Sequence, residues 1–426
     1  MIERALELAC KQAQAAEVIL SRGRCTSADY EDDRLKQVGV AQTSRLAVRV
    51  IANGRVGSAE TTDPQDAEAV VARAIELAAF GSEAQFDFPG PSATPEVKTY
   101  DPEIERTTKE DLVAIGGEML ESIKAYDAEI KVFTSAQASV DDRQLLNSSG
   151  LDFRERRSRF IIVAGGVLVR GTDVLYAHSH RDWRRRLATP REVTERTIEK
   201  FRRAERIAEV ASRPMPVIFT PHLSPLLLQP IAIGCSGKNV LKGDSPLAGR
   251  LGEKLCSEQL SLNDDGTVDY APASAPHDDE GVPRRRTEVI ADGVLRSFLY
   301  DLETAGKAGT QSTGSGPGCG TSNVIVPAGR VPFADMVGSV REGVLVDNVL
   351  GLGQSNIMNG DFSVNISLGY KIENGEIVGR VKNAMLAGNA YDALNRIEAI
   401  GSEPEWYGPY CAPPIMIQSL SVVAQR

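Results

Sequence analysis

The stretch Ile366-Ser367-Leu368-Gly369-Tyr370-Lys371-Ile372-Glu373-Asn374-Gly375 alternates apolar with polar residues and ends on Asn-Gly. Strict alternation is the signature of a half-buried strand, and Asn-Gly is a strong two-residue hairpin signal. Reading outward, Asp265-Gly266 and Asp292-Gly293 repeat the turn signal, and the texture changes after Arg213-Pro214-Met215-Pro216. Two helices interrupt, one near 332–342 and one near 389–399. Residues 213–426 therefore read as a sheet-rich mixed C-terminal domain built on β-hairpins.

The N-terminal half alternates helices with strands. Met1 to Leu6 opens an amphipathic helix, and Leu46, Val48 and Val50 alternate up to Asn53-Gly54. Asp63-Pro64-Gln65-Asp66 then offers a helix cap with proline in the first turn, followed by Val70, Val71, Ala74, Leu77 and Ala78 at helical spacing and by Gly81 as a stop. These features define an α/β subdomain over 1–85. Prolines and a glycine in Phe86 to Pro95 mark a linker, taken as 86–107. A second α/β subdomain over 108–212 holds a helix from about Thr108 to Tyr126, strands around 130–140 and 160–169, and a helix capped at Thr189 that runs to about Val210. The fold class is α+β, and no short-period repeat is visible.

Composition excludes some functions. With 48 Lys and Arg against 58 Asp and Glu, the net charge of −10 argues against a nucleic-acid partner. The basic runs Arg184 to Arg186 and Arg284 to Arg286 read as solvated faces. No stretch approaches a membrane span, and no signal-peptide core follows Met1. Six cysteines without C-x-x-C spacing indicate reduced thiols. A cytoplasmic protein is the expectation.

Between Asp278 and Gly320 lie a carboxylate cluster (Asp278-Asp279-Glu280), a hairpin turn and the loop Ser312-Thr313-Gly314-Ser315-Gly316-Pro317-Gly318-Cys319-Gly320. Such a run has the look of a site rim, although the glycine spacing fits neither a P-loop nor a dinucleotide fingerprint. His178 and His180 would share one strand face and either chelate a metal or sit on a solvated strand; no third ligand is near in sequence. His222 reads as structural, and His277 either binds a metal with Asp278 and Asp279 or is simply exposed on a loop. Cys319 is the best free-thiol nucleophile, provided a histidine or a helix N-terminus lowers its pKa.

Asp279-Glu280-Gly281-Val282, Ile290 to Leu295, Ser312-Thr313-Gly314, Ile372 to Ile377 and Cys411 occur in an order that resembles the TldD/PmbA family, and Ala5 to Ala9 with the hairpin and helix up to Phe80 look similar too. The resemblance implies a cytosolic two-subunit peptidase that acts on unfolded or extended peptides. The TldD-like subunit of that family carries H-E-x-x-x-H, two histidines on zinc and a glutamate base, with a C-terminal cysteine as third ligand. Aligned backward from Lys242-Gly243, this chain has Leu228, Gln229 and Ile233 at those positions, with Pro230 between them. Leucine and isoleucine have no lone pair for zinc, and an amide takes no proton from water at neutral pH.

The resemblance is thus to the PmbA (TldE-like) subunit, with no metal ligands and no cofactor of its own and with zinc expected on a TldD-like partner. It implies a heterodimer that holds a peptide in a cleft between subunits; whether the chain alone forms a homodimer stays open. Asp279, Glu280, Thr313 and Cys411 are the cleft candidates, Cys411 also matching the third-ligand position. Two alternatives stand beside this reading: a stand-alone hydrolase using His178 and His180 or Cys319, and a peptide-binding or regulatory protein without catalysis.

Overall fold

The computed structural model describes residues 1–186, 190–352 and 356–424. The chain opens with α1 (Ile2–Cys10), β1 (Ala15–Glu31), β2 (Arg34–Ala52), β3 (Arg55–Thr61) and α2 (Ala67–Ala78). After an irregular stretch and the short α3 (Pro102–Glu105), the same order returns as α4 (Lys109–Tyr126), β4 (Lys131–Asn147), β5 (Asp152–Arg170), β6 (Asp173–Trp183) and α5 (Arg191–Arg203). The strands form one antiparallel sheet in the order β3-β2-β1-β4-β5-β6. Segments 1–85 and 108–212 thus each contribute half of a single sheet, joined where β1 pairs with β4 from Glu17 opposite Asn147 to Tyr30 opposite Thr134. The arrangement is a duplicated αβββα unit, related by a local two-fold through the β1–β4 pair.

One face of this sheet is apolar and carries the helices. Val18, Leu46, Val48 and Val50 pack with Val70, Val71 and Ala74 of α2, while Ala136, Phe160 and Ile162 pack with Leu112, Met119 and Ile123 of α4 and Phe201 of α5. α4 starts at a full capping box, with Thr108 and Asp111 satisfying each other's backbone N–H groups. The opposite face alternates with the first and carries charge; part of the remaining chain is tied to it through Arg49–Glu280 and Arg143–Asp279, and another part joins the core under α4 and α5.

That remainder contains β7 (Ile207–Ala208), β8 (Arg213–Phe219), a 3₁₀ turn (Pro221–Leu223), α6 (Ser224–Gly234), α7 (Gly237–Lys242), β9 (Leu262–Asp265), β10 (Arg286–Ala291), β11 (Val294–Leu295), α8 (Leu302–Ala308), β12 (Val324–Ile325) and α9 (Phe333–Gly338). It ends with β13 (Glu342–Leu350), β14 (Asp361–Glu373), β15 (Glu376–Val381), β16 (Ala384–Asn389), α10 (Ala390–Asn395), β17 (Ile397–Ile400), β18 (Glu405–Tyr407), β19 (Tyr410–Ala412) and β20 (Ile415–Ala424). One sheet runs β11-β10-β9-β12-β19-β18. In the other, β13-β8-β20-β16-β14 close into a ring, because β13 pairs with β8 on one side and with β14 on the other. Phe362, Val364 and Ile366 of β14 enter the C-terminal core, whereas Leu368, Tyr370 and Ile372 enter the core under α4 and α5. This strand ties the two halves together, and each such buried side chain stabilises the fold by about 1.5–3 kcal/mol.

The hairpin signals at Asn53-Gly54, Asp292-Gly293 and Asn374-Gly375 all form turns with both residues at positive φ. Several boundaries differ from expectation. α2 is capped at Asp66 rather than Asp63, whose Oδ1 instead accepts from Gln65 N in the preceding turn. Gly81 lies beyond the helix end, and its need for glycine is steric: a Cβ there would overlap the Val56 carbonyl. α5 stops at Arg203 because 207–208 are drawn into a strand beside Arg380 and Val381; its expected cap, Thr189, lies outside the described residues. The helix expected over 389–399 ends at Asn395 for the same reason, since Ile397–Ile400 pair with β20. The helix expected over 332–342 spans only Phe333–Gly338, and β13 starts at Glu342. Among the described residues no helix is long and apolar enough to cross a membrane.

Candidate functional site

The run from Asp278 to Gly320 folds as a knot in which carboxylates satisfy backbone N–H groups. Asp278 is fully buried; its Oδ1 accepts from Glu280 N and Val282 N, and its Oδ2 from Gly316 N at 2.7 Å. Burial pushes its pKa up to about 6 against those donors. Glu280 Oε2 accepts from Leu302 N at the start of α8, and glycine is required at 316 because a Cβ would overlap that carboxylate. Asp301 caps α8 through Thr304 N and also accepts from Gly318 N.

This knot is latched to the charged face of the first sheet. Arg49 of β2 reaches Glu17 of β1 at 2.9 Å and Glu280 at 2.5 Å, and both carboxylates are 2 % exposed. Burial pushes Glu17 up to about 7 against the pull of Arg49, with the Glu280 charge adding to the rise, and Glu17 Oε2 has no hydrogen-bond partner. Beside it, Arg143 of β4 holds Asp279 at 2.6 Å. Between sheet and knot opens a cavity of ≈ 890 Å³, with Arg143, Arg157, Arg159 and Arg184 on the sheet side and Asp279 and Pro317 on the other.

A second cavity of ≈ 720 Å³ lies where β6 and α5 meet β18 and the 3₁₀ turn. His222 comes beside His178 and His180, at ring-centroid distances of 5.2 and 6.2 Å, and stacks on Tyr407 at 4.0 Å. Burial drives His178 down to about 4 and His222 to about 3, so the rings are neutral at pH 7. Behind them Lys200 pairs with buried Asp347 at 2.8 Å. Burial would raise Asp347, but Lys200 outweighs it and holds the carboxyl below its usual range. Among the described residues no group of three or more His, Cys, Asp or Glu side chains is placed to hold a metal. The cluster packs one domain on the other.

Of the residues singled out from sequence, Asp279 lines the larger cavity, whereas Glu280, Thr313 and Cys411 are buried. Thr313 Oγ1 accepts from Tyr300 N and meets Ser315 Oγ. Cys319 is buried against Asp301 N and Thr304, and burial raises its pKa. His277, expected to be exposed, is buried against Phe153. Arg184, expected on a solvated face, is only 8 % exposed. The charged face itself escaped notice, yet its signal was present: Glu17 stands between Ala16 and Val18, a charge at the outward position of an apolar strand.

Leu228, Gln229 and Ile233 lie on α6, where Leu228 is 0 % exposed in the C-terminal core. Pro230 sits inside the helix without breaking it, and its carbonyl accepts from Tyr391 Oη at 2.9 Å. β19, which carries Cys411, packs against α6. Burial lifts the Cys411 thiol to about 11. Two aliphatic side chains, an amide and a protonated thiol do not fit a zinc ion.

Comparison with known proteins covers the whole chain. Residues 16–78 match the PmbA/TldA metallopeptidase domain 1, 102–211 its central domain and 212–424 its C-terminal domain. The chain is 26% identical to a metalloprotease of Methanothermobacter thermautotrophicus, over 92% of this chain and 89% of that one. It is 24% identical to the metalloprotease PmbA of Escherichia coli O157:H7, over 100% and 95%. In structure it resembles a Thermotoga maritima protein described as a modulator of a DNA gyrase, with TM-score 0.92 and 26% identity over 99% of both chains. It shares its fold with TldE from Thermococcus kodakarensis, with TM-score 0.89 and 24% identity over 99% of both. Matched in all three domains, the chain belongs to the PmbA/TldD metallopeptidase family.

Proposed function

We propose that this chain is the non-catalytic, PmbA/TldE-like subunit of a two-subunit zinc metallopeptidase, and that it holds unfolded or extended peptides against a TldD-like partner carrying H-E-x-x-x-H. The observation that carries the reading is α6. Leu228 is packed in the core, Gln229 replaces the base, Ile233 replaces the second histidine, and Pro230, which has no N–H, stands between them in an unbroken helix. The zinc, its activated water and the general base then belong to the partner, and this chain needs no cofactor. Its contribution is binding. Strand β3 ends the first sheet on one side, and such an edge accepts an extended peptide through main-chain hydrogen bonds. The expected setting is the cytoplasm.

The test is reconstitution. The purified chain should contain no stoichiometric zinc and should leave an unfolded peptide intact until a partner with H-E-x-x-x-H is added. Complete digestion by the lone chain, verified free of other peptidases, would overturn the assignment.

A further inference from the structure

The larger cavity contains one arginine without a direct ion-pair partner among the described residues, although the charges of Glu155, Asp182 and Asp141 reach it from farther off. Arg45 pairs with Glu60, Arg49 with Glu17 and Glu280, Arg143 with Asp279, Arg157 with Glu155 and Arg159 with Asp182. Arg184 forms no ion pair among the described residues, although it is 8 % exposed and lines the same cavity. Burial, followed by the Arg157 charge, draws its pKa down to about 10.

Its position is fixed at three points. Arg184 N donates to Tyr270 O at 3.0 Å, Arg184 O accepts from Ser158 Oγ at 2.6 Å, and Nε donates to Ala271 O at 3.0 Å. The terminal nitrogens of the guanidinium have no partner among the described residues. Arg143, elsewhere in the lining of the same cavity, also has a nitrogen without a partner, Nη2, on a side chain only 9% exposed. A planar guanidinium anchored through Nε, with its terminal nitrogens open to the cavity, matches a carboxylate in two-pronged geometry. The rest of the lining argues against a polyanion, since every other arginine is matched by an acid and the chain carries net charge −10.

We propose that the cleft between the first sheet and the C-terminal domain is a carboxylate site, in which Arg184 receives a carboxylate of an extended peptide. The proposal rests on the peptide-binding reading above and adds the group that is recognised. The carboxylate comes from the chain terminus or from an Asp or Glu side chain.

Three dye-labelled hexapeptides separate these cases: one with a free C-terminal carboxylate, one amidated, and one amidated with a single internal Glu. Anisotropy with the full chain should show the amidated neutral peptide binding about ten-fold or more weakly than the free acid. Binding of the Glu peptide at the level of the free acid assigns recognition to side-chain carboxylates as well. Arg184→Gln should bring all three to the level of the neutral peptide, and Arg184→Lys should fall between. Equal affinity of wild type for all three peptides would overturn the proposal without any variant. So would a preference that survives in a folded Arg184→Gln. Binding of all three peptides without discrimination leaves the peptide reading intact, whereas binding of none removes both.

Discussion

Glu17 gives the sharpest quantitative test of the latch. Its carboxyl is 2 % exposed, with Oε1 on Arg49 and Oε2 unpartnered, and burial pushes its pKa from 4.5 to about 7. The folded chain therefore keeps this proton up to about pH 7, while the unfolded chain releases it near 4.5. Between those values the folded state binds more protons, so the stabilisation is complete below the unfolded pKa and is lost as pH rises through the folded one. Integrating between the two values gives a loss of about 2.5 kcal/mol from pH 5 to pH 8. Glu17→Gln keeps an acceptor for Arg49 and cannot titrate, so the difference in stability between wild type and variant should shift by that amount over the window. The assay is urea unfolding followed by tryptophan fluorescence, because the only two tryptophans, Trp183 and Trp406, meet at 5.2 Å across the joint between the first sheet and the C-terminal domain. Other titrating groups are common to both proteins and cancel. A difference constant to within about 0.5 kcal/mol from pH 5 to pH 8 would refute the buried, protonated Glu17.

Gly316→Ala should destabilise by about 1–3 kcal/mol, read as a lower urea midpoint, because its methyl group would displace the Glu280 carboxylate from Leu302 N and Arg49. His222, driven down to about 3 by burial and then by the Lys200 charge, makes the fold acid-sensitive in the opposite sense. Its unfolded form takes up a proton near pH 6.5 and its folded form does not, so stability should drop by roughly 2 kcal/mol from pH 6.5 to 4.5, and His222→Phe should remove that part of the slope. Under native conditions a thiol reagent should modify exposed Cys10 rapidly and reach buried Cys235, Cys256, Cys319 and Cys411 only on unfolding.

The strands and turns of this fold were legible because they rest on local chemistry. Alternation in 366–373 and positive φ at Asn374 and Gly375 are properties of a few neighbouring residues. What escaped was set by distant partners. Nothing near Ile207 foretells that it will lie beside Arg380 and end a helix early, and nothing near His178 foretells the arrival of His222. The aliphatic replacement at Leu228 and Ile233 was readable from residue identity alone, since a missing lone pair is independent of geometry. The arginine face was not, because a run of strands with charges at every second position looks the same whether that face meets solvent or a second domain.

The carboxylates of the 278–280 cluster are bonded in ways that restrict where a peptide can be held. Both oxygens of Asp278 and both of Glu280 are engaged by backbone N–H groups or Arg49. Only Asp279, with its side chain 57% exposed, faces the cavity, and it spends Oδ1 on Arg143. If Arg143 and Arg184 together receive a carboxylate, Asp279 is a competitor for that site rather than a ligand for the peptide. Asp279→Asn would then leave Arg143 without an acid and raise the affinity for a free-acid peptide by about three- to ten-fold, while leaving an amidated neutral peptide unchanged. A fall in affinity for both peptides would instead make Asp279 itself a peptide contact. The same pair of titrations therefore decides whether the acids or the arginines of this cleft do the binding.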